Sequence, residues 1–173
     1  MEKIIRKIFK TGVVSEAPPK VDETLSAAQA ALSATILRRL GRALAIRHVD
    51  AGSCNGCELE IQATTNPYYN LEGLGIRFVA SPRHADLLLV TGPVSRHMAA
   101  ALTATYEAIP DPKLVVAVGD CGQDGGIFGV NYATLGGVQN AIPVDVIIPG
   151  CPPNPLAIIK GILSAVRTVH PQS

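Results

Sequence analysis

The chain contains four cysteines, whose type and spacing suit metal chemistry. Cys54 and Cys57 form a C-x-x-C motif, whereas Cys121 and Cys151 follow singly, 64 and 94 positions after Cys57. Each lies in a turn rich in glycine or proline, which lets the backbone approach a bulky inorganic group and direct N–H groups at anionic sulfur. Four thiolates suit a cubane iron–sulfur cluster, because soft sulfur selects such clusters or zinc over hard cations. The cysteines therefore predict one iron–sulfur cluster.

Three other uses of the cysteines compete with the cluster. Structural zinc usually takes paired C-x-x-C knuckles, and only one such pair is present. Disulfides need an oxidising compartment, and no secretion signal can be read at the N-terminus. A reactive dithiol of the thioredoxin type fits Cys54 and Cys57, which join an expected strand to an expected helix. That dithiol leaves the turns around Cys121 and Cys151 unexplained, whereas a cluster accounts for all four cysteines.

Composition predicts one globular domain with a basic arm. Apolar residues make up 47% of the 173 positions and charged residues 17%, which allows a substantial core. Residues 1–47 carry nine Lys or Arg against four Asp or Glu, whereas residues 48–173 carry six against ten. The basic arm predicts docking to a membrane surface or an acidic subunit. Nucleic acid is not expected, since no aromatic platform or basic stripe runs through the folded part, and no apolar window is long enough for a transmembrane helix.

The arm is expected to hold two helices joined by a linker. Met1–Lys10 predicts a short amphipathic helix with one apolar stripe and basic residues around it. This helix suits an anchor at a membrane interface, and equally a contact with a neighbouring subunit. Gly12–Glu23 predicts the linker. An alanine-rich helix, capped by Asp22 or Thr24, is then expected to run to about Leu44.

The chain divides, on this pattern, into the arm, residues 1–44, and an α/β domain, residues 45–173. In the domain, short β runs alternate with helical stretches, which predicts a doubly wound, flavodoxin-like parallel sheet of four or five strands. The expected strands are 45–50, 76–80, 87–91, 114–118 and 144–148, and the expected helices are 58–65, 95–109 and a last one capped by Asn154.

Three of the cysteines, Cys54, Cys121 and Cys151, follow expected strands at their carboxyl ends. Open α/β sheets bind ligands at that edge. We therefore expect cysteines that are nearly a hundred residues apart in sequence to converge on one site. The glycine-rich turns match no phosphate-binding motif.

The cysteine motifs, taken together, resemble those of a known family. The runs that carry the resemblance are Cys54-Asn55-Gly56-Cys57-Glu58, Gly119-Asp120-Cys121-Gly122, Gly125-Gly126-Ile127-Phe128, Pro149-Gly150-Cys151-Pro152-Pro153 and Ser81-Pro82-Arg83-His84-Ala85-Asp86. They are similar to those of the small subunit of [NiFe] hydrogenases and of the homologous complex I subunit that holds the terminal cluster. The likeness is strongest to the small subunit of membrane-bound, energy-converting (group 4) hydrogenases of the formate hydrogenlyase type, over about residues 22–168.

This resemblance implies that the four cysteines hold one [4Fe-4S] cluster, the cluster nearest a nickel–iron site on a separate large subunit. The chain would relay electrons in an oxidoreductase complex and would not be catalytic alone. The implied partners are the [NiFe] hydrogenase large subunit, a ferredoxin-like iron–sulfur subunit and membrane-arm subunits. The implied location is peripheral, on the cytoplasmic side of the cell membrane.

An alternative within the same resemblance is a complex I-like quinone oxidoreductase subunit that carries the terminal [4Fe-4S] cluster. Members of that branch have two adjacent cysteines at the first motif. Here Cys54 and Cys57 are separated by two residues, as in the hydrogenases. The spacing therefore favours the hydrogenase branch.

Four further residues are candidates for a place beside the cluster without ligating it. Glu58 and Glu60 lie near the start of the helix that follows Cys57. They suit a proton path or a contact near the large subunit, and equally a simple complement to the helix dipole. Arg83 and His84 precede an expected strand. In complex I relatives the matching arginine approaches the terminal cluster, which implies the same here; a surface ion pair is the alternative.

Overall fold

The protein is described by a computed structural model that covers residues 2–12 and 22–168. Five parallel strands form one sheet in the order β2-β1-β3-β4-β5. They are β1 (Leu44–Asp50), β2 (Ile76–Phe78), β3 (Leu87–Thr91), β4 (Leu114–Val118) and β5 (Val146–Ile148). This arrangement confirms the predicted doubly wound parallel sheet, with five strands.

The helices, in chain order, are α1 (Glu2–Thr11), α2 (Glu23–Leu40), α3 (Gly56–Ala63), α4 (Arg96–Ala108), α5 (Gly119–Asp124) and α6 (Pro155–Thr168), with short 3₁₀ helices at Glu72–Leu74, Pro82–His84 and Val138–Asn140. Helices other than α1 cover both faces of the sheet. Side chains of a strand alternate between the two faces. Accordingly, Leu87 and Leu89 pack with α2 and α6, whereas Leu88 and Val90 pack on the face that α4 covers.

Two of the three inner strands, β3 and β4, have the bounds that the sequence predicts. All ten of their residues are buried, as expected of parallel strands covered on both faces. The outer strands are shorter than predicted: β2 ends at Phe78 and β5 begins at Val146. The outer strands have one neighbour each, so fewer ladder hydrogen bonds hold their ends.

Helix α2 begins as predicted but ends four residues early. The Asp22 carboxylate caps it by accepting hydrogen bonds from the backbone of its first turn. Gly41, at φ 63°, ends the helix, and its N–H donates to the Leu37 carbonyl. Leu44 then opens β1, so the prediction of a helix to Leu44 is wrong. The helical spacing of apolar residues continues beyond Leu40, but Gly41 adopts a left-handed conformation, which ends the helix.

Helix α2 belongs to the packed body of the protein. Leu32 and Ile36 are buried in the core on the α6 side of the sheet. Helix α1, in contrast, has no buried residue. It spans Glu2–Thr11 and so confirms the predicted amphipathic helix, whereas most of the predicted linker falls on residues 13–21, outside the described residues. The division at residue 44 stays a prediction.

Helix α5 is the element that sequence reasoning missed. It is a six-residue helix that directly follows β4 and carries Cys121. Its sequence is mostly glycine and polar residues, so no apolar periodicity indicates a helix there. Within residues 2–12 and 22–168, no helix is both long enough and apolar enough to cross a membrane.

Candidate metal centre

The four cysteines lie at the carboxyl edge of the sheet, as predicted. Cys54 and Cys57 follow β1, Cys121 lies in α5 directly after β4, and Cys151 follows β5. Cys57 is buried and Cys121 half-buried, whereas Cys54 and Cys151 are exposed. The topology thus brings together residues that the sequence separates by nearly a hundred positions.

The loop of Cys54 is shaped by hydrogen bonds from the end of β1. The Asp50 carboxylate accepts from the N–H groups of Gly52 (2.8 Å) and Ser53 (2.7 Å), which turns the chain as it leaves the strand. Asn55 then adopts a left-handed conformation, φ 72°, and α3 begins. Cys57 therefore lies in the first turn of α3, where unpaired backbone N–H groups and the helix dipole favour negative charge.

Glycine at two strand ends lets the loops approach one another. A Cβ atom on Gly92 would lie 2.5 Å from the backbone nitrogen of Ser53, so the end of β3 packs directly against the cysteine loop. A Cβ atom on Gly119 would lie 2.8 Å from the Cys57 sulfur. Both glycines have positive φ, 79° and 82°. A larger residue at either position would force the cysteine loop away.

The loops of Cys121 and Cys151 are tied to each other. The Asp120 N–H donates to the Gly150 carbonyl (2.9 Å), and the Gly150 N–H donates to the Asp120 carboxylate (2.7 Å). This reciprocal pair holds the residue before Cys121 against the residue before Cys151. The C-x-x-C loop lies against the Cys151 loop. A Cβ atom on Gly56 would lie 3.6 Å from the Cys54 sulfur and 3.8 Å from Pro152, the residue after Cys151.

The thiols share one electrostatic environment. Burial, followed by the charges of Glu58 and of the other three cysteines, raises the pKa of Cys57 to about 12. Burial also raises the pKa of Cys121, followed by the charges of Cys151 and Cys54. Thiolates at this edge would repel one another, so a bound cationic centre would favour their deprotonated forms.

The donor set suits an iron–sulfur cluster by its chemistry. Four soft sulfur donors in glycine- and proline-rich turns are the ligand type that such a cluster takes. Among the described residues, no group of three or more His, Cys, Asp or Glu side chains is placed so as to hold a metal ion.

Glu58 is buried beside the cysteines in a network that sequence reasoning missed. Its carboxylate accepts from the Ser53 hydroxyl (2.6 Å) and lies 3.8 Å from Nε2 of His48, which contacts the Thr91 hydroxyl at 3.1 Å. The other Glu58 oxygen, the one facing His48, is buried with no hydrogen-bond partner. Burial lowers the pKa of His48 below its usual value. His48 lies on β1 and Glu58 on α3, so no short motif connects them.

The remaining predicted residues, Glu60, Arg83 and His84, lie at two different places in the fold. Glu60 is half-exposed on α3. Arg83 and His84 are exposed on the 3₁₀ helix that leads into the amino end of β3. The Asp86 N–H donates to the Ala45 carbonyl, near the start of β1, whereas the cysteines lie beyond the carboxyl ends of the strands. A role of Arg83 or His84 beside a cluster stays a prediction.

Comparison with known proteins gives a consistent result. Residues 54–165 match the family model described as NADH ubiquinone oxidoreductase, 20 Kd subunit. The chain is 44% identical to formate hydrogenlyase subunit 7 of Escherichia coli over 149 residues, which is 86% of this chain and 57% of that protein. It is 45% identical to a probable membrane-bound hydrogenase subunit, mbhJ, of Pyrococcus furiosus, over 78% of this chain and 80% of that protein.

A solved structure shares the fold. A chain in the membrane-bound sulfane sulfur reductase, an archaeal respiratory membrane complex, superposes with a TM-score of 0.65 at 36% identity, covering 79% of this chain and 74% of that one. The match to formate hydrogenlyase subunit 7 spans less than two thirds of that relative's length. These relatives are subunits of oxidoreductase complexes, and the family match includes all four cysteines. The chain therefore belongs to the family of the 20 Kd subunit of NADH ubiquinone oxidoreductase.

Proposed function

We propose that the chain is the electron-transfer subunit of a membrane-bound, energy-converting [NiFe] hydrogenase complex. It would carry the [4Fe-4S] cluster proximal to the nickel–iron site of the large subunit. The observation that carries the proposal is the convergence of Cys54, Cys57, Cys121 and Cys151 at the carboxyl edge of the sheet. The relatives named as hydrogenase subunits support the choice of complex.

The cluster, when bound, supplies one-electron transfer. The four thiolates hold it in place. Burial of Cys57 keeps water from one side of the site. The carboxylate of Glu58 adds negative charge beside the Cys57 sulfur, which favours the oxidised, more positive state of a cluster. The cluster would use all four cysteines of the chain. No cysteine is left to ligate nickel, so hydrogen chemistry belongs to the large subunit.

An exposed apolar loop beside Cys121 supports docking of the large subunit at this edge. Ile127, Phe128, Val130 and Tyr132 are all exposed, with Ile127 at 89% and Tyr132 at 94%. The backbone of the loop is nevertheless fixed, because the Arg96 guanidinium donates to the carbonyls of Asn131 and Tyr132. A fixed loop that presents apolar side chains to solvent is typical of a protein–protein interface.

The location and remaining partners follow from the same proposal. The subunit would be peripheral, on the cytoplasmic side of the membrane, and would contact a ferredoxin-like iron–sulfur subunit and membrane-arm subunits. The named relatives come from membrane-bound and respiratory complexes, which supports membership of a multisubunit complex.

Serine substitution of the cysteines tests the cluster. We expect Cys57→Ser, Cys121→Ser and Cys151→Ser each to abolish or convert the [4Fe-4S] electron paramagnetic resonance signal of the reduced complex, because a hydroxyl is a poorer ligand for iron than a thiolate. Ala104→Ser, at an exposed position of α4, is the control and should leave the signal intact. An unchanged signal in all three cysteine variants would contradict the proposal.

The second candidate is a complex I-like subunit that delivers electrons to a quinone. The description of the matched family favours it, whereas the C-x-x-C spacing favours the hydrogenase branch. The fold does not separate the two, since the terminal chemistry belongs to other subunits. Metal analysis of the native complex decides: nickel together with hydrogen evolution supports the hydrogenase, and quinone reduction without nickel supports the alternative.

A further inference from the structure

Helix α1 divides cleanly into an apolar and a basic side. Its apolar residues are Ile4, Ile5, Ile8 and Phe9, and its basic residues are Lys3, Arg6, Lys7 and Lys10. With about 100° of rotation per residue, the apolar residues span an arc of about 140°, and the cations fill an arc of about 100° on the opposite side. Glu2 and Thr11 lie between the two arcs. No residue of one kind interrupts the other.

The apolar side of α1 is open to solvent. The four apolar side chains are between 51% and 85% exposed, and no residue of the helix is buried. The helix ends cleanly, because the Gly12 N–H donates to the Ile8 carbonyl with Gly12 at φ 65°. Since the apolar side chains make no core contact, their regular placement indicates an external partner.

We propose that α1 lies in the headgroup region of an anionic lipid membrane, with its apolar side inserted and its cations at the lipid phosphates. An amphipathic helix with Lys and Arg on its polar side and large apolar residues on the other has the composition of interfacial membrane helices. Four cations against one acidic residue complement the negative charge of an anionic leaflet. This membrane contact is independent of the cluster and of the electron-transfer role.

Lipid vesicles test the proposal with the full-length chain. Two variants remove the two features separately: Ile4→Ser with Ile8→Ser, and Lys3→Gln with Lys7→Gln. Matched controls are Leu37→Ser on α2, where the wild-type side chain is 71% exposed, and Lys160→Gln on α6. Co-sedimentation is measured with vesicles of equimolar phosphatidylglycerol and phosphatidylcholine, and with phosphatidylcholine alone.

We expect the wild-type chain to bind the anionic vesicles and to bind the neutral ones much less. The isoleucine variant should lower the partition coefficient by about tenfold or more. The lysine variant should lower it by about fivefold per cation at about 0.1 M salt and by much less at about 1 M, where the Debye length falls to about 3 Å. Both controls should bind like the wild type.

Three outcomes would overturn the proposal: no binding of the wild type to anionic vesicles, equal binding of the isoleucine variant, or equal binding to neutral and anionic lipid. If vesicle binding is absent while the isoleucine variant is lost from the native complex, α1 contacts a protein subunit instead. The iron–sulfur signal is recorded for every variant. It should not change, so failure here is distinguishable from failure of the electron-transfer proposal.

Discussion

The two edges of the sheet differ in how far their ionisable groups are paired. At the amino edge, the Asp86 carboxylate accepts from the Ala45 N–H (3.0 Å) and pairs with Arg42, and the Asp145 carboxylate accepts from the Val115 N–H (2.7 Å). At the carboxyl edge, burial and the charges of neighbouring cysteines raise the pKa of Cys57 and of Cys121, and one oxygen of Glu58 has no hydrogen-bond partner. The carboxylates of the amino edge are compensated within the chain, whereas the thiols and one Glu58 oxygen at the carboxyl edge lack such compensation among the described residues.

This difference indicates where a cofactor belongs. A cavity of about 680 Å³ lies at the amino edge, lined in part by Arg42 and Asp86, which already pair with each other. Because these charged groups already have partners, this cavity is not the expected cofactor site despite its size. The carboxyl edge holds the four soft donors. If they bind the proposed cluster, substitutions there should change its content or potential, whereas substitutions at the amino edge should change only the stability of the fold.

The largest effect is expected at Gly119. In Gly119→Ala the new Cβ would lie 2.8 Å from the Cys57 sulfur, so we expect iron and labile sulfide per chain to fall by about tenfold, given strain of 1–3 kcal/mol at such positions. Gly129→Ala is the matched control, since Gly129 also has positive φ (57°) but nothing lies within 4 Å of the added atom. Equal iron content in the two variants would remove the case for close packing around Cys57.

Asp86 should show the opposite behaviour. Asp86→Ala leaves the Ala45 N–H without its carboxylate acceptor and breaks the pair with Arg42, so the free energy of unfolding should fall by about 1–3 kcal/mol. The cluster signal and potential of the folded fraction should not change. Glu107→Ala, which removes an exposed carboxylate from α4, is the control for thermal unfolding. A shifted cluster potential in Asp86→Ala would mean that the two edges are coupled.

Replacing Glu58, at the carboxyl edge, should have a smaller effect, on the potential of the cluster. The charge of Glu58 is the foremost of those that raise the pKa of Cys57, so Glu58→Gln should raise the cluster potential by tens of millivolts, on the order expected for one charge about 10 Å away in protein. Glu60→Gln, on the same helix, should raise it less. Redox titration followed by electron paramagnetic resonance measures both, and equal shifts would show that Glu58 has no special place beside the cluster.

His48 is expected to give the smallest effect, through pH. Burial lowers the pKa of His48. The negative charges of Glu58 and Asp50 partly offset this by raising the pKa, and the positive charge of Arg47 lowers it further. The unfolded chain therefore binds a proton more readily than the folded one, and stability is lost as pH falls below about 6.5. His48→Gln should reduce the drop in melting temperature between neutral and mildly acidic pH. An identical drop in both proteins would show that His48 does not contribute.

Secondary structure was predictable where local signals were strong. The Val- and Leu-rich runs at Leu87–Thr91 and Leu114–Val118 gave β3 and β4 with their observed bounds, because buried parallel strands are almost wholly apolar. Asp22 marked the start of α2. The end of α2 and the short α5 were missed, since Gly41 interrupts a continuing apolar spacing and Gly119–Asp124 has none.

The sequence by itself determined the chemical character of the site: four soft ligands, their glycine- and proline-rich turns and the strands that precede them. The tertiary structure alone decided how those parts meet. Three contacts join segments that follow or belong to different strands. They are the close approach of Gly119 to the Cys57 sulfur, the hydrogen bonds between Asp120 and Gly150, and the contact between His48 and Glu58. Such contacts depend on strand order and register, which hydrogen bonding across the whole sheet fixes and which no local pattern of residues contains.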